Sequence, residues 1–208
     1  MKVRLPAALL LLALAGGGRS LADDAPARSA AELMDVLMWN REPVGGPFAL
    51  VDHTGMARTD QDFRGKVLLV YFGFTFCPDV CPTDLQQIGL ALDRIGPLAA
   101  EVQPLFITLD PKRDTPEHLA EYVPSFHKDI VGLTGSATAI RAAADAYKVY
   151  YREVARESGS DYTIDHSAFL YLMDRDGRFL GFLPPGTPSD RIAEALRGVA
   201  AQALNRGR

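Results

Sequence analysis

Cysteine is scarce in this sequence, because the 208 residues include only Cys77 and Cys81. One pair is too few for a small scaffold held by several disulfides, so the fold must depend on a packed core. No C-x-x-C-H motif is present, which excludes covalent haem attachment of the c type. The five methionines are scattered and do not resemble a methionine-rich metal track.

Long hydrophobic runs are also lacking. The apolar run at residues 5–16 follows a short basic start and is 12 residues long, which is too short for a membrane span of roughly 20 residues and typical of a signal-peptide core. Small residues at Ser20 and Ala22 predict cleavage after Ala22 and export to an oxidising compartment. The alternative is an uncleaved leader that serves as a membrane anchor, although Gly16, Gly17, Gly18 and Arg19 end the apolar run early.

An excess of positive charge is missing as well. The formal net charge is −4, and it becomes −7 when Lys2, Arg4 and Arg19 leave with the leader. We therefore expect no nucleic-acid partner, and membrane contact only through a partner or an uncleaved leader. The remaining length suits one domain with a proper core. We divide the chain into a signal peptide at 1–22, an N-terminal tail and short helix at 23–43, and one domain at 44–206.

Apolar and turn patterns predict alternating strands and helices. The run Val67–Phe72 predicts a strand that is buried on both faces, and Pro82 predicts a helix that begins after a cap at Cys81 and ends at Ile95. Further strands are predicted at 48–52, 102–109, 130–133, 149–151, 162–164, 168–173 and 178–183, and further helices at 29–39, 115–127, 136–147 and 189–204. This thioredoxin-like order predicts a single α/β domain with a central mixed sheet flanked by helices.

The two cysteines stand at the predicted junction between strand and helix, in Phe76-Cys77-Pro78-Asp79-Val80-Cys81-Pro82. The positive end of a helix favours thiolates. The pair is close enough to form a disulfide or to bind a soft metal ion. A purely structural disulfide would stabilise little, since it would close a very short loop. The position therefore favours a reactive pair.

One of the four histidines is a candidate third ligand. His53 lies in a predicted turn, and His118 and His127 lie on one predicted helix, where neither needs a functional explanation. His166 stands just before the apolar strand at 168–173. In a thioredoxin-like fold the loop that enters this strand passes close to the cysteine-bearing helix. We therefore predict that Cys77, Cys81 and His166 bind a metal ion together.

Two thiolates and one imidazole form a soft, three-coordinate set. Such a set suits Cu(I), and Cu(II) could be held with a fourth, weaker ligand. Zinc also accepts two cysteines, one histidine and a water molecule. No general base for a zinc hydrolase is evident in the sequence, but these three residues alone leave both metals open.

The block from Tyr71 to Pro82, centred on CPDVCP, resembles the signature of the Sco/SenC family. Shorter matching blocks follow in order at 45–48, 65–66, 106–111, 113–115, 133–135, 165–167 and 171–172. The resemblance covers about residues 44–185. It implies a thioredoxin fold, copper binding by Cys77, Cys81 and His166, and cycling of the same cysteine pair between dithiol and disulfide.

The resemblance also implies a pathway. Such a protein is a periplasmic metallochaperone that receives copper from a periplasmic donor and delivers it to the binuclear copper site of cytochrome c oxidase subunit II. A thiol reductant is a further expected partner, because only the reduced pair binds copper. This leader departs from the family pattern, since many relatives keep an N-terminal anchor in the inner membrane.

Two other functions use the same cysteines. A thiol–disulfide oxidoreductase, acting on the oxidase subunit or in redox defence, would use the more exposed cysteine, expected to be Cys77, as its nucleophile. Thioredoxin-type reductases place a proline before the strand that faces the cysteines, and residues 161–167 contain none. A peroxiredoxin-like peroxidase is disfavoured, because the Pro-x-x-x-Thr/Ser-x-x-Cys approach is missing before Cys77.

Overall fold

The computed structural model describes residues 29–39, 42–155 and 162–206. Across these ranges the strands are β1 Ala49–Asp52, β2 Ala57–Thr59, β3 Val67–Gly73, β4 Val102–Thr108, β5 Val131–Thr134, β6 Tyr151–Ala155, β7 Tyr162–His166, β8 Leu170–Met173 and β9 Phe179–Leu183. The α-helices are α1 Ala30–Trp39, α2 Val80–Ile95, α3 Pro116–Tyr122, α4 Ala137–Ala146 and α5 Ser189–Arg206.

Seven strands form the central sheet, in the order β2-β1-β5-β4-β3-β8-β9. Strands β3, β4 and β5 are parallel, whereas β1 and β8 join them in antiparallel pairing. Every residue of β3 is buried, as its continuous apolarity predicts for a strand covered on both faces. Helices α5, α3 and α4 contact β3, β5 and β1 respectively, and α2 packs against α5. The predicted α/β domain with a central mixed sheet flanked by helices is confirmed.

Strands β6 and β7 form a separate antiparallel hairpin, outside the seven-stranded sheet. Its ladder runs from the pair Tyr151 and His166 to the pair Ala155 and Tyr162. The predicted strand at 149–151 stops too early, because Arg152–Ala155 pair with β7 and belong to β6. Residues 156–161 lie outside the described ranges.

Helix α2 begins earlier than predicted. It starts at Val80 with Asp79 as its cap residue, so the prediction that Cys81 caps the helix is wrong. The prediction placed Pro82 at the first helical position. However, the first four N–H groups of a helix have no partner within it, so proline is tolerated at the third position as well. The predicted end is confirmed, because Gly96 follows Ile95 with a φ of 58°, a conformation that favours glycine.

Helix α3 begins at the predicted cap, where the Thr115 side chain accepts a hydrogen bond from the N–H of His118. It was predicted to continue to His127, but it ends at Tyr122 and is followed by a 3-10 turn at Val123–Ser125. The reason is Pro124, which cannot donate the backbone hydrogen bond that an α-helix needs there.

The N-terminal helix α1 begins with a capping box. The Ser29 hydroxyl accepts from the N–H of Glu32 at 3.3 Å, and the Glu32 carboxylate accepts from the N–H of Ser29 at 2.7 Å. Val36 and Leu37 on its apolar face are buried. The predicted signal peptide at 1–22 lies outside the described residues. Within the described ranges, no helix combines the length and hydropathy needed to span a bilayer.

Candidate metal centre

The end of β3 and the start of α2 fix the positions of both cysteines. A tight turn follows β3, in which the N–H of Cys77 donates to the carbonyl of Phe74 at 3.3 Å. Cys77 remains partly exposed, whereas Cys81, the second residue of α2, is fully buried. A Cβ atom at Gly73 would lie 3.0 Å from the Cys81 sulfur. The strand can therefore approach this sulfur closely because residue 73 is glycine.

The two thiols have opposite acidities. The Cys81 side chain donates a hydrogen bond that favours the Cys77 thiolate, and backbone N–H groups of Asp79, Cys81 and Val80 add to this, so the pKa of Cys77 falls to about 6 despite partial burial. The same contact and burial raise the pKa of Cys81. Near neutral pH the pair therefore holds one thiolate, at the accessible sulfur, and one buried thiol.

His166 meets this pair from the other side. It is the last residue of β7, rather than a loop residue as predicted, and its Nε2 lies 3.5 Å from the Cys81 sulfur. The Nδ1 atom donates to the carbonyl of Ser167 at 3.3 Å, so Nε2 is the nitrogen with a free lone pair. Burial lowers the pKa of His166, which keeps the imidazole in the neutral form that binds metals.

The structure brings the three predicted ligands together as two pairs, Cys77 with Cys81 and Cys81 with His166. The N–H of Cys81 lies 3.5 Å from the Cys77 sulfur, and the Cys81 sulfur lies 3.5 Å from His166. Among the described residues, no three cysteine, histidine or acidic side chains already surround one common point that would hold a metal ion. Two ligand atoms that each lie roughly 2.0–2.3 Å from one ion are roughly 3.5 Å from each other. The separation between the Cys81 sulfur and His166 Nε2 is therefore already compatible with a shared ion.

The other histidines have different neighbours. Nδ1 of His53 accepts from the N–H of Gly132 at 3.1 Å. His127 lies 3.5 Å from Asp93, beside the end of α3. Nε2 of His118 lies 2.9 Å from the Thr75 hydroxyl, close to the cysteine turn but not at the sulfurs.

Two polar residues behind Cys81 were missed by the sequence analysis. Tyr71 and Asp84 are both buried beside this sulfur, and burial, followed by the nearby charges of Cys81 and Asp84, raises the pKa of Tyr71. Burial also raises the pKa of Asp84, which accepts from the N–H of Gly186 at 2.8 Å. Within the described ranges, the Tyr71 hydroxyl and Asp84 Oδ2 make no hydrogen bond of standard geometry. The sequence did contain one sign of this buried polar group. An acidic residue stands three positions after Cys81, on a helix face that is otherwise apolar.

A buried carboxylate is hydrogen-bonded to the turn that leads to Cys77. Asp114 is fully buried and accepts from the Thr75 N–H at 3.1 Å, the Thr75 hydroxyl at 2.6 Å and the Thr108 hydroxyl at 2.5 Å. Burial raises the pKa of Asp114 although these hydrogen bonds oppose the shift. The carboxylate joins the turn that leads to Cys77 to the end of β4.

A cleft of the described structure lies away from the cysteines. It has a volume of about 1190 Å³ and is lined by residues of α4, β6 and the loop after β4, among them Asp110, Lys112, Arg141 and Tyr151. None of the three predicted ligands lines it. Pocket size therefore does not identify the chemistry here, whereas the donor atoms do.

Comparison with known proteins identifies relatives of the whole domain. A family model described as SCO1/SenC matches residues 38–201. The human protein SCO1 homolog, mitochondrial, is 42% identical over 155 residues, which are 74% of this chain and 52% of the relative. This chain therefore spans about half the length of that human protein.

Solved structures agree with the sequence matches. The crystal structure of Arabidopsis thaliana ScoI with copper bound is 39% identical, with a TM-score of 0.72 over 76% of this chain and 99% of the other. The structure of Bradyrhizobium japonicum ScoI with copper bound is 42% identical, with a TM-score of 0.70 over 75% of this chain and 99% of the other. Both relatives share the fold over nearly their whole solved chains.

Proposed function

Because this chain belongs to the SCO1/SenC family, we propose that it is a periplasmic copper metallochaperone. In this proposal it accepts Cu(I) from a periplasmic donor and delivers it to the binuclear copper site of cytochrome c oxidase subunit II. Cys77, Cys81 and His166 are the proposed ligands. The same cysteines are the proposed redox pair.

One observation carries the copper assignment. A buried thiol and a neutral imidazole nitrogen, from residues 85 positions apart in sequence, lie 3.5 Å from each other beside an accessible thiolate. Two sulfurs and an imidazole form a set that Cu(I) prefers and that leaves its coordination sphere incomplete. The copper bound in two homologous structures supports the same choice of metal over zinc.

Delivery follows from the unequal exposure of the two sulfurs. Cys77 is partly exposed and Cys81 is buried, so a thiolate of the acceptor can reach the ion from the Cys77 side. Exchange then proceeds through a shared ion, and the buried ligands release it last. Oxidation of the thiolate and thiol to a disulfide releases one proton and gives two electrons to an oxidant of the compartment, such as a more oxidising disulfide, and it removes both sulfur ligands. The redox state of the pair therefore controls loading, and a periplasmic thiol reductant would restore the dithiol.

Competition with a Cu(I) chelator tests the ligand set. The reduced protein should bind one Cu(I) per chain, the Cys77→Ala and Cys81→Ala variants should lose tight binding, and His166→Ala should bind at least about tenfold more weakly, or about 1.4 kcal/mol. His127→Ala is the matched control, since it removes an imidazole that contacts Asp93 instead. Equal affinity of the His166→Ala and His127→Ala variants would contradict the assignment of His166.

A second function is favoured by the acidity of Cys77. A partly exposed cysteine with a pKa of about 6 next to a buried thiol is the arrangement of an attacking and a resolving thiol. The Cys77 thiolate would attack a disulfide of the oxidase subunit and release one target thiol. Cys81 would then lose its proton and displace the second, leaving a reduced target and a Cys77–Cys81 disulfide.

The metal-free protein separates the two functions. A reductase predicts fast reduction of oxidised subunit II by the reduced, metal-free chain, and accumulation of a mixed disulfide with the Cys81→Ser variant. A pure chaperone predicts neither result. Both functions can operate in sequence, because reduction of the acceptor must precede copper delivery.

We also propose the division of the chain into a signal peptide at 1–22, an N-terminal tail and helix at 23–43, and the copper-binding domain at 44–206. The intact mass of the protein isolated from the periplasm tests this division. A mature chain that begins at Asp23 agrees with it, whereas a chain that keeps its leader indicates an inner-membrane anchor.

A further inference from the structure

The accessible cysteine is next to an exposed aromatic ring. Phe76 immediately precedes Cys77, and 50% of its surface is exposed. The other large apolar side chains exposed in the described part of the chain are Met38, Met56, Leu90 and Leu180. Phe76 is thus the aromatic member of that group and the member beside the sulfurs. An exposed ring and an accessible sulfur therefore stand on consecutive residues.

Two side chains pack against the Phe76 ring. The His118 ring stacks on it, with centroids 5.6 Å apart and planes 26° apart, and the guanidinium carbon of Arg113 lies 4.6 Å from its centroid. His118 is itself fixed, because its Nε2 lies 2.9 Å from the Thr75 hydroxyl. Thr75 in turn bonds to the buried carboxylate of Asp114.

Arg113 is fixed as well. Its Nε donates to Asp110, a buried carboxylate, and its Nη1 donates to the carbonyl of Tyr162 at 3.2 Å. The guanidinium lies 3.9 Å from the centroid of the Tyr162 ring. Phe76 therefore belongs to a continuous stack formed by His118, Phe76, Arg113 and Tyr162. An exposed ring that is already ordered loses little conformational freedom when a partner covers it.

Charges around the stack are paired within the chain. Arg113 is paired with Asp110, and Lys112 Nζ lies 2.7 Å from the Glu153 carboxylate. A partner therefore gains little by bringing charges of its own to this place. A single protruding ring also offers no concave surface that could enclose a small molecule. The exposed Phe76 ring is therefore suited to bind a partner protein that presents an apolar pocket.

We propose that Phe76 is a docking anchor that enters an apolar pocket beside the copper-accepting thiols of the acceptor protein. Rigid aromatic side chains that fill a pocket at the centre of an interface contribute most of the binding energy in many complexes. Here the anchor brings the acceptor thiols to the Cys77 side of the ion. The inference rests on the proposed chaperone function, since it concerns recognition of the copper acceptor.

The test is the second-order rate of Cu(I) transfer from the loaded full chain to the reduced soluble domain of cytochrome c oxidase subunit II. Phe76→Ala should slow transfer by about tenfold or more, with the Cu(I) affinity of the chain changed by less than about twofold. Phe76→Trp should restore most of the rate. The rate of the wild-type protein should fall little as salt is raised, because the contact is apolar.

Leu180→Ala is the matched control. Leu180 lies on the edge strand β9 and is 49% exposed. Its substitution by alanine therefore removes a similar exposed apolar surface on a different element from the cysteines. Transfer by Phe76→Ala at the rate of Leu180→Ala would overturn the docking proposal and leave the chaperone function intact. A wild-type chain that does not bind Cu(I), or does not pass it on, would overturn the chaperone function and the docking proposal together.

Discussion

The cysteines and the histidine are carried by two regions of different construction. Cys77 and Cys81 follow β3, the strand whose seven residues are all buried inside the central sheet. His166 ends a hairpin of two strands that pair only with each other. Among the described residues of these two strands, Ile164 alone is buried. The thiols are therefore positioned by the core, and the imidazole by a peripheral element.

The hairpin is attached to the core by the buried side chain of Ile164, by the partly buried rings of Tyr151 and Tyr162, and by polar contacts. The Tyr162 hydroxyl donates to Asp110 at 2.7 Å, and Arg113 Nη1 donates to the carbonyl of Tyr162 at 3.2 Å. The guanidinium of Arg141 lies 3.7 Å from the centroid of the Tyr151 ring. Such contacts can open locally while the core stays folded. We therefore expect His166, the proposed third ligand, to leave a bound ion more readily than the two sulfurs do.

The largest effect is expected in the core. Leu69 in β3 is fully buried, so Leu69→Ala should lower the free energy of unfolding by about 2–5 kcal/mol through lost burial and a cavity. The hairpin counterpart is Val154→Ala at a partly exposed position of β6, which should cost less than about 1 kcal/mol. Urea denaturation of the reduced, metal-free protein measures both. Equal losses would show that the hairpin is part of the core.

The next effect concerns the acidity of Cys77. Its pKa of about 6 lies below the ordinary thiol value of about 8.5, so the alkylation rate of the reduced protein should rise with pH around a midpoint near 6. Cys81→Ala removes the main hydrogen bond to the thiolate and should raise this midpoint by at least about one pH unit. Cys81→Ser keeps a donor and should leave the midpoint low. An unchanged midpoint in the Cys81→Ala variant would assign the low pKa to the helix end instead.

Sequence patterns were sufficient for the core and insufficient for the hairpin. The buried strand β3, the apolar stripe of α2 with Leu85 and Ile88, and the cap at Thr115 were all predictable, because each depends on local residue order. The start of α2 was not predictable in this way, since a proline is compatible with several positions in the first turn of a helix. The strand β2 and the full length of β6 also escaped prediction, because these short, largely exposed segments have no alternating apolar pattern and are defined only by their pairing with β1 and β7.

For the site, the residue types were predictable and the geometry was not. Cys77, Cys81 and His166 could be named from motif and order, and the structure brings them into pairwise contact. The buried Tyr71 and Asp84 behind the sulfur were missed, since polar groups in apolar patterns give no sign of their neighbours. The stack around Phe76 depends on residues 76, 113, 118 and 162, which no local pattern connects.

A smaller effect should separate the hairpin from the core dynamically. Tyr162→Phe removes the hydroxyl that bonds to Asp110 and keeps the ring on Arg113. Because a hydrogen bond to a charged group contributes roughly 1.5 kcal/mol, amide hydrogen exchange in β7 should accelerate by about tenfold, and exchange in β3 should not change. Tyr151→Phe, in the paired strand, leaves the Asp110 contact in place and is the control. Equal acceleration in β3 and β7 would mean that the two regions open together.

The smallest effect is expected at the ion pair closest to His166. Arg152 lies 3.0 Å from Asp165 across the hairpin, with 63% and 51% of the two side chains exposed. Water and salt screen such a pair, so Arg152→Ala should leave the free energy of unfolding unchanged within error and alter the Cu(I) affinity by less than about threefold. Chelator competition at low and high salt measures this. A larger loss of affinity would show that the pair orients His166, and the hairpin would then position its ligand by surface charge as well as by the Tyr162 contact.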